Sequence, residues 1–369
     1  MPPKPLPADS CDPERIRERL ASIHQALASC TLRVLVVEAT PQCNLACVFC
    51  GMHSRELAAG RYAQGRQAKP RGPMTLQLFR EVVDKCRGSE PLRVLYLHGN
   101  GEPLLNPALP DMVALASQAA IAQEIVLVTN GVLLTPARLA TLARAGLTAV
   151  RVSLDAVSPD RYRAVKGADR CHQVLDNIDG CIDLIRSERL PVRLALLCSE
   201  SRGADDPLNG EPARIQDRYQ ARIQDLPQVT ITARVIFNWV DSVKRLTDGG
   251  PFRRPAPCEQ PFYLLMVHAD GDISMCCADT RKDLVVANIR QIGGLAEVLA
   301  SEALNGRRRA LLLQDFSTIP ACACCEVYSF VDQALLDDCD ALLRLLPGHP
   351  PPAPAPVQAA GAGMPEDPR

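Results

Sequence analysis

The sequence lacks an excess of charge of either sign, and it lacks any long hydrophobic run. Its 41 Lys and Arg residues balance 42 Asp and Glu residues, whereas a general nucleic-acid binder presents a basic face. No apolar stretch approaches the roughly 20 residues that span a bilayer, and residues 1–20 have no apolar centre like that of a secretory signal. We therefore expect a cytoplasmic protein with neither a nucleic-acid nor a membrane partner.

Cysteine, in contrast, is abundant. The chain of 369 residues contains sixteen cysteines. Without an export signal, this number favours metal or cluster ligation over disulfide bonds. The length is sufficient for two domains or for one large domain with a full-sized core.

Six apolar segments alternate with helical patterns from residue 32 onward. The predicted strands have little polar alternation, which is typical of buried parallel strands, and span 32–38, 92–98, 124–129, 148–154, 192–197 and 229–237. The predicted helices span 75–87, 108–120, 135–145, 171–187 and 212–224, with Thr75, Thr135 and Asp169 as caps. This alternation predicts a parallel α/β sheet, either doubly wound or closed into a partial barrel.

The pattern changes on both sides of this core, for which we predict residues 32–247. Residues 1–31 form an N-terminal extension with an amphipathic helix over 13–29, and the sequence breaks at Asp-Gly-Gly-Pro, residues 248–251. Residues 248–330 are rich in cysteine and form a second, small domain. Residues 331–346 continue a helical pattern that begins at 329, and the Pro- and Ala-rich tail, residues 347–369, is expected to be disordered, as are residues 1–12.

Three cysteines follow the first predicted strand with CxxxCxxC spacing: Cys43, Cys47 and Cys50. They could hold three irons of a 4Fe–4S cube and leave one iron open, although three zinc ligands or free buried thiols would give similar spacing. With Phe49 before the third cysteine, the segment resembles the signature of the radical S-adenosylmethionine (SAM) enzymes. The resemblance implies a partial (β/α)6 TIM-like barrel. It also implies a cluster that binds SAM and cleaves it reductively to a 5′-deoxyadenosyl radical.

Further segments resemble SAM-binding motifs of that family, although each could be only a turn or a strand end. Residues 99–103, Gly-Asn-Gly-Glu-Pro, follow the second strand and are similar to the GGE motif. The likeness implies that Gly101 lets the backbone approach SAM and that the Glu102 carboxylate binds the methionine ammonium group. It further implies SAM contacts for Asn130 and Ser153, which end the third and fourth strands, and for Lys166.

A second set of cysteines lies in residues 248–330. Cys258, Gly271 and Cys276, followed by Cys322 and Cys325, resemble the SPASM/twitch extension of radical SAM enzymes. The resemblance implies a shortened, twitch-type domain with one auxiliary 4Fe–4S cluster held by these four cysteines. Four thiolates would leave no open iron, so such a cluster would transfer electrons. A structural zinc site remains an alternative, and Cys277 and Cys324 are competing ligand positions.

These resemblances imply a radical SAM oxidoreductase in which the 5′-deoxyadenosyl radical abstracts a substrate hydrogen and an electron then passes from the substrate to the auxiliary cluster. The partners would be a flavodoxin or ferredoxin-type electron donor and a small polar substrate, such as an aminocyclitol or a sugar. One alternative is a maturase of a ribosomally made peptide or protein. Another is a non-enzymatic iron–sulfur or zinc-binding protein. The sequence identifies no catalytic residue that acts on the substrate.

Overall fold

One sheet of nine strands runs through the part of the chain that the computed structural model describes, namely residues 12–54, 72–200, 208–235, 254–323, 325 and 330–347. The strands are β1 Val34–Val37, β2 Leu92–Leu97, β3 Ala122–Thr129, β4 Ala149–Ser153, β5 Arg193–Glu200, β6 Val229–Val235, β7 Leu264–Val267, β8 Asp272–Ser274 and β9 Val285–Asn288. The helices are α1 Pro13–Ala28, α2 Leu76–Cys86, α3 Leu109–Gln118, α4 Pro136–Arg144, α5 Pro159–Lys166, α6 Cys171–Glu188, α7 Glu211–Ile223, α8 Leu295–Ala300, α9 Glu302–Leu312, α10 Pro320–Ala323, α11 Phe330–Asp337 and α12 Cys339–Leu345.

Strands β1 to β6 are parallel, and each pairs with its neighbour in sequence. Because crossovers between parallel strands are right-handed, an order without reversal places all the connecting helices on one face of the sheet. A doubly wound sheet would reverse its strand order. The structure therefore confirms the α/β fold class and selects the partial barrel.

The cysteine-rich segment continues this sheet. Strand β7 pairs in parallel with β1, on the side opposite β2, with Val34 in register with Leu264. Strands β8 and β9 then add in antiparallel order. The carboxyl ends of β1 and β7 consequently lie side by side, while Cys258 precedes the amino end of β7.

The two faces of β1 belong to different cores, because side chains alternate along a strand. Leu35 packs with the helices between the barrel strands. Val34 and Val36 pack instead with α1, through Ile23, and with the C-terminal helices α11 and α12. The predicted N-terminal and C-terminal helices therefore cover the same face of β1.

Local capping was predicted with mixed success. The hydroxyls of Thr75 and Thr135 accept hydrogen bonds from the backbone at the starts of α2 and α4, as expected. The prediction for Asp169 is wrong, because Arg170 is the N-cap of α6 and makes no side-chain cap bond. The Asp169 carboxylate instead accepts a hydrogen bond from Arg163, 3.2 Å away.

One other helical prediction needs correction, since the helix expected over residues 329–346 is two helices, α11 and α12, that meet at Asp338. Within the predicted core, helix α5 was missed. The predicted disordered ends, the break at 248–251 and Cys324 lie outside the described residues, apart from Asp12 and Pro347 at their margins. Among the described helices, none combines the length and apolar character needed to cross a bilayer.

We predict that α1 contributes to stability through Ile23, which is 1% exposed. Replacing Ile23 with Ala should lower the free energy of unfolding by about 2–5 kcal/mol, because it leaves a cavity against β1. Urea titration followed by circular dichroism measures this change. Ile16→Ala is the matched control, since Ile16 is only half-buried in the same helix, and equal losses in the two variants would contradict the packing role.

Candidate active site

The cluster loop, residues 40–54, leaves the carboxyl end of β1 and is held along the end of α5. The Ala46 N–H donates to the Lys166 carbonyl at 3.2 Å, and the Val48 N–H donates to the Val165 carbonyl at 3.0 Å. Gly167 has a φ of 68°, and a Cβ there would lie 2.6 Å from the Ala46 carbonyl oxygen. Only glycine permits this approach without displacing the loop.

The turn after β2 holds the other side of the cluster loop. The Glu102 N–H donates to the Gln42 carbonyl at 2.7 Å. A Cβ on Gly101 would lie 2.3 Å from the carbonyl oxygens of both Thr40 and Gln42. The second glycine of the motif is therefore required for contact between two backbones.

The Glu102 side chain is buried beneath this turn. Its Oε1 atom accepts hydrogen bonds from the Leu104 N–H at 3.0 Å and the Thr129 hydroxyl at 2.7 Å, while Oε2 accepts one from the Asn130 N–H at 2.7 Å. Burial raises the pKa of Glu102, although these hydrogen bonds oppose the rise. The carboxylate thus joins the end of β2 to the end of β3.

Asn130 extends this connection to the cluster loop. Its side-chain amide donates to Asn44 Oδ1 at 2.7 Å and lies 3.8 Å from Cys43 Sγ. Its own Oδ1 accepts from the Val132 N–H at 3.0 Å, which fixes the orientation of the side chain. The structure therefore brings Glu102 and Asn130 together beside the first thiol of the set.

Lys166 and Ser153 meet on the opposite side of the loop. The buried Lys166 ammonium forms an ion pair with Asp155 and donates to the Ser153 backbone carbonyl at 3.0 Å. It also lies 5.7 Å from the centre of the Phe49 ring. Burial alone would lower the pKa of Lys166, but the Asp155 carboxylate raises it overall. The predicted SAM contacts therefore form two groups that flank the cysteine loop.

The cysteines of the loop are free, half-buried thiols. Burial raises the pKa of Cys43 to about 11 and that of Cys47 to about 12, and the neighbouring Cys50 sulfur adds to both shifts. The nearby Lys166 ammonium opposes the shift at Cys47. Metal binding would have to displace these protons, as it does at thiolate sites in general.

The second thiol set is also assembled from free cysteines. Cys258 interacts electrostatically with Cys276 and Cys325, and so does Cys322. The competing Cys277 also interacts with Cys258, Cys276 and Cys325. It packs against the core beneath α1, with its thiol 3.7 Å from Gln260 Oε1. Among the described residues, no three His, Cys, Asp or Glu side chains converge on a position that a single metal ion would fill.

A buried arginine lies within the second set. Arg254 forms an ion pair with Asp332, and both side chains are 1% exposed. Its Nη1 atom donates to the Cys325 carbonyl at 3.1 Å. Burial lowers the pKa of Arg254, but the thiols of Cys258, Cys325 and Cys322, together with Asp332, raise it overall.

A chain of buried polar groups connects the two regions. Glu38, at the end of β1, accepts the N–H of Asn100 at 3.1 Å, and its carboxylate lies 3.8 Å from the His268 ring. His268 is hydrogen-bonded to the Ser274 hydroxyl at 2.8 Å, and this hydroxyl donates to Asp279 at 2.8 Å. The turn after β2 is thereby connected to the segment that follows Cys276.

Comparisons with known proteins bear on what this site is. The profile of the radical SAM superfamily matches residues 37–197, and that of the SPASM iron–sulfur cluster-binding domain matches residues 258–326. The chain belongs to the radical SAM superfamily. It is an enzyme of that superfamily with a carboxyl-terminal SPASM domain. Its cofactors are a 4Fe–4S cluster, SAM and additional iron–sulfur clusters in the SPASM domain.

Curated relatives of this radical SAM enzyme include proteins named GTP 3′,8-cyclase. That of Mycobacterium ulcerans is 34% identical over 190 residues, which are 51% of this chain and 49% of the relative. That of Synechococcus elongatus is 30% identical over 165 residues, 43% and 44% of the two chains. The chain therefore spans about half the length of the curated relatives that it matches.

Among solved structures, native anSMEcpe with bound AdoMet matches 85% of this chain and 97% of that chain, with a TM-score of 0.50 and 14% identity. BtrN in complex with AdoMet and 2-DOIA matches 76% of this chain and 87% of that chain, with a TM-score of 0.49 and 18% identity. At such identities, the anSMEcpe match concerns the fold alone.

The sequence analysis did not identify several buried polar residues that hydrogen-bond or form ion pairs around this radical SAM site. Glu38 and His268 each directly follow an apolar strand. A polar residue at the end of a buried strand could have marked both as candidates for the site. Asp155 directly follows the predicted strand that contains Ser153. Arg254 had no signal, because its partner Asp332 lies 78 residues further along the chain.

We predict that Gly101→Ala disrupts the cluster loop, because its Cβ would overlap the carbonyl oxygens of Thr40 and Gln42. Iron analysis and equilibrium SAM binding after anaerobic reconstitution should show loss of the first cluster and of SAM affinity. Gly72→Ala is the matched control, since a Cβ at Gly72 meets no atom within 4 Å. Normal cluster content and SAM affinity in Gly101→Ala would show that the close contact is dispensable.

Proposed function

We propose that this radical SAM enzyme oxidises a small polar substrate, such as an aminocyclitol or a sugar, and passes one substrate electron to an auxiliary cluster. The observation that carries the proposal is the presence of two separate sets of free thiols, one after the end of β1 and one that includes Cys258, just before the start of its partner strand β7. When bound, the first cluster and SAM would supply a 5′-deoxyadenosyl radical, to which the substrate would lose one hydrogen atom. The substrate radical would then lose a proton to a base and one electron to the auxiliary cluster, which completes a two-electron oxidation. A flavodoxin or ferredoxin-type protein would deliver the electron for the reductive cleavage of SAM.

The first cluster is assigned to Cys43, Cys47 and Cys50. The loop offers three thiols, and the superfamily profile begins at residue 37, so it includes all of them. Thiolates are the protein ligands that iron–sulfur clusters require. Three ligands leave one iron of a cube for SAM.

The candidate SAM contacts flank these thiols: Phe49, Gly101, Glu102, Asn130, Ser153 and Lys166. Glu102 Oε2 accepts one hydrogen bond among the described residues, whereas Oε1 accepts two. Oε2 is therefore the atom that could also accept from the methionine ammonium. Lys166 uses two of its three N–H groups on Asp155 and on the Ser153 carbonyl in the described structure, which leaves one for the SAM carboxylate.

The auxiliary cluster is assigned to Cys258, Cys276, Cys322 and Cys325, in a twitch-type arrangement. The interactions of Cys258 and Cys322 with Cys276 and Cys325 support this set. Cys277 also interacts with Cys258 and Cys325, so Cys276 is chosen for its spacing from Gly271 in the motif and because Cys277 packs against a different core. With four thiolates the cluster has no open iron, so electron transfer is the role that remains. A strand the length of β7 spans about 13 Å, which supports a separation between this cluster and the SAM site.

A nucleotide is the second candidate substrate. It is favoured by the relatives named GTP 3′,8-cyclase, of which the first is 34% identical over 190 residues. Because of these relatives, GTP belongs in the substrate panel beside aminocyclitols, sugars and peptides. Four thiolate ligands would leave no open iron in the auxiliary cluster, so we do not expect a substrate to bind directly to that cluster.

SAM cleavage tests the first assignment. The reconstituted enzyme should release 5′-deoxyadenosine when given dithionite and SAM. Replacing Cys43, Cys47 and Cys50 with Ala should abolish this release and leave about four irons per chain, because the auxiliary cluster remains. Replacing Cys86, Cys171 and Cys181 removes three thiols outside both sets and serves as the control. Release of 5′-deoxyadenosine by the first triple variant would refute the assignment.

Removal of the auxiliary cluster tests the oxidation step. Replacing Cys322 and Cys325 with Ala leaves two ligands, too few for a stable cube, so a variant that remains folded by circular dichroism should still cleave SAM without substrate. It should form no dehydrogenated product, as judged by mass spectrometry with the substrate panel. A full yield of oxidised product from this variant would exclude the electron-acceptor role.

A further inference from the structure

Arg254 connects the two halves of the auxiliary thiol set. It lies four residues before Cys258, and its backbone N–H donates to the Ala323 carbonyl at 2.8 Å. Its guanidinium donates through Nη1 to the Cys325 carbonyl at 3.1 Å and through Nε to the Ala256 carbonyl at 2.8 Å. The charged group is therefore oriented by both of the segments that carry the proposed ligands.

Asp332 on α11 fixes the remaining end of the guanidinium. Its Oδ2 atom accepts from Arg254 Nη2, and its Oδ1 atom accepts from the Glu259 N–H at 3.1 Å. Both charged side chains are 1% exposed. Buried charges interact with their surroundings much more strongly than solvated ones do, because the effective dielectric constant is low.

We propose that Arg254 raises the reduction potential of the auxiliary iron–sulfur cluster and that Asp332 limits this increase. The inference rests on the proposed function, which assigns Cys258, Cys276, Cys322 and Cys325 to that cluster. Reduction adds one negative charge to the cluster, and a fixed cation nearby stabilises the reduced form. A fixed carboxylate does the reverse. Net charge, hydrogen bonding and solvent exposure are the factors that set such potentials.

An electron acceptor benefits from this arrangement. A substrate radical gives up its electron more favourably when the acceptor has a higher potential. The ion pair would then act on electron transfer without touching the substrate, so Arg254 and Asp332 are positioning residues. A purely structural role would predict something different, namely that removing either partner weakens the same contacts in the same way.

The test is a redox titration monitored by electron paramagnetic resonance. It uses the chain in which Cys43, Cys47 and Cys50 are Ala, so that only the auxiliary cluster contributes to the signal. Arg254→Gln should lower the reduced-to-oxidised ratio at a fixed potential by about tenfold, which is 59 mV for one electron. Asp332→Asn should shift the ratio in the opposite direction. Arg254→Lys, which keeps the charge, should remain near the parent.

Arg344→Gln is the control, because it removes the same charge from an exposed position on α12. Shifts of opposite sign in Arg254→Gln and Asp332→Asn support the inference. Shifts of the same sign, no shift beyond that of Arg344→Gln, or loss of the cluster from both variants would overturn it and make the pair a structural anchor. Zinc, or no second cluster, in the parent chain would overturn the proposed ligand set before any of these comparisons.

Discussion

The pairing of β1 with both β2 and β7 is the constraint on which the two thiol sites depend. β1 is only four residues long, and all four are buried. Its carboxyl end begins the loop of the first thiol set, and β7 beside it begins soon after Cys258. Because the two strands are parallel, the carboxyl end of β7 lies beside the start of the first cysteine loop, while its amino end lies near Cys258 of the second thiol set. Cys43 and Cys258, far apart in the sequence, thus follow and precede two strands that pair in one sheet.

Backbone contacts, more than side chains, fix the cluster loop. Gly101 and Gly167 approach it from two sides, at distances where any Cβ would overlap a carbonyl oxygen. Glycine is flexible in isolation, but here its missing side chain produces close packing. The buried Glu102 carboxylate then orders the same turn by joining it to β3. These contacts restrict the backbone of the loop that carries the three cysteines.

Features that depend on local sequence patterns could be predicted. Features that depend on contacts between residues far apart in the sequence could not. Six parallel strands and the caps Thr75 and Thr135 were predictable, because apolar periodicity and capping act within a few residues. Asp169 failed because Arg163 competes for its carboxylate. The strand pattern alone left a doubly wound sheet open; the resemblance to the radical SAM enzymes predicted the partial barrel, and the strand order confirms it. The pairing of β7 with β1 was not predicted, because it depends on contacts across more than 200 residues. The partners of Glu102 and Arg254 are equally non-local.

The two thiol sets share an electrostatic arrangement that no cysteine motif reveals. Each set has a buried cation held by a buried carboxylate: Lys166 with Asp155 beside Cys47, and Arg254 with Asp332 beside Cys258. Burial raises the pKa of both thiols, and in each case the cation opposes that rise. A buried ion pair is weak evidence for stability, since desolvation can exceed the Coulombic gain. Under the proposed assignment, each pair lies beside a thiol that ionises to bind iron. The cation favours the thiolate, and the carboxylate keeps the cation in place, although the negative charge of the carboxylate itself adds to the rise in the thiol pKa.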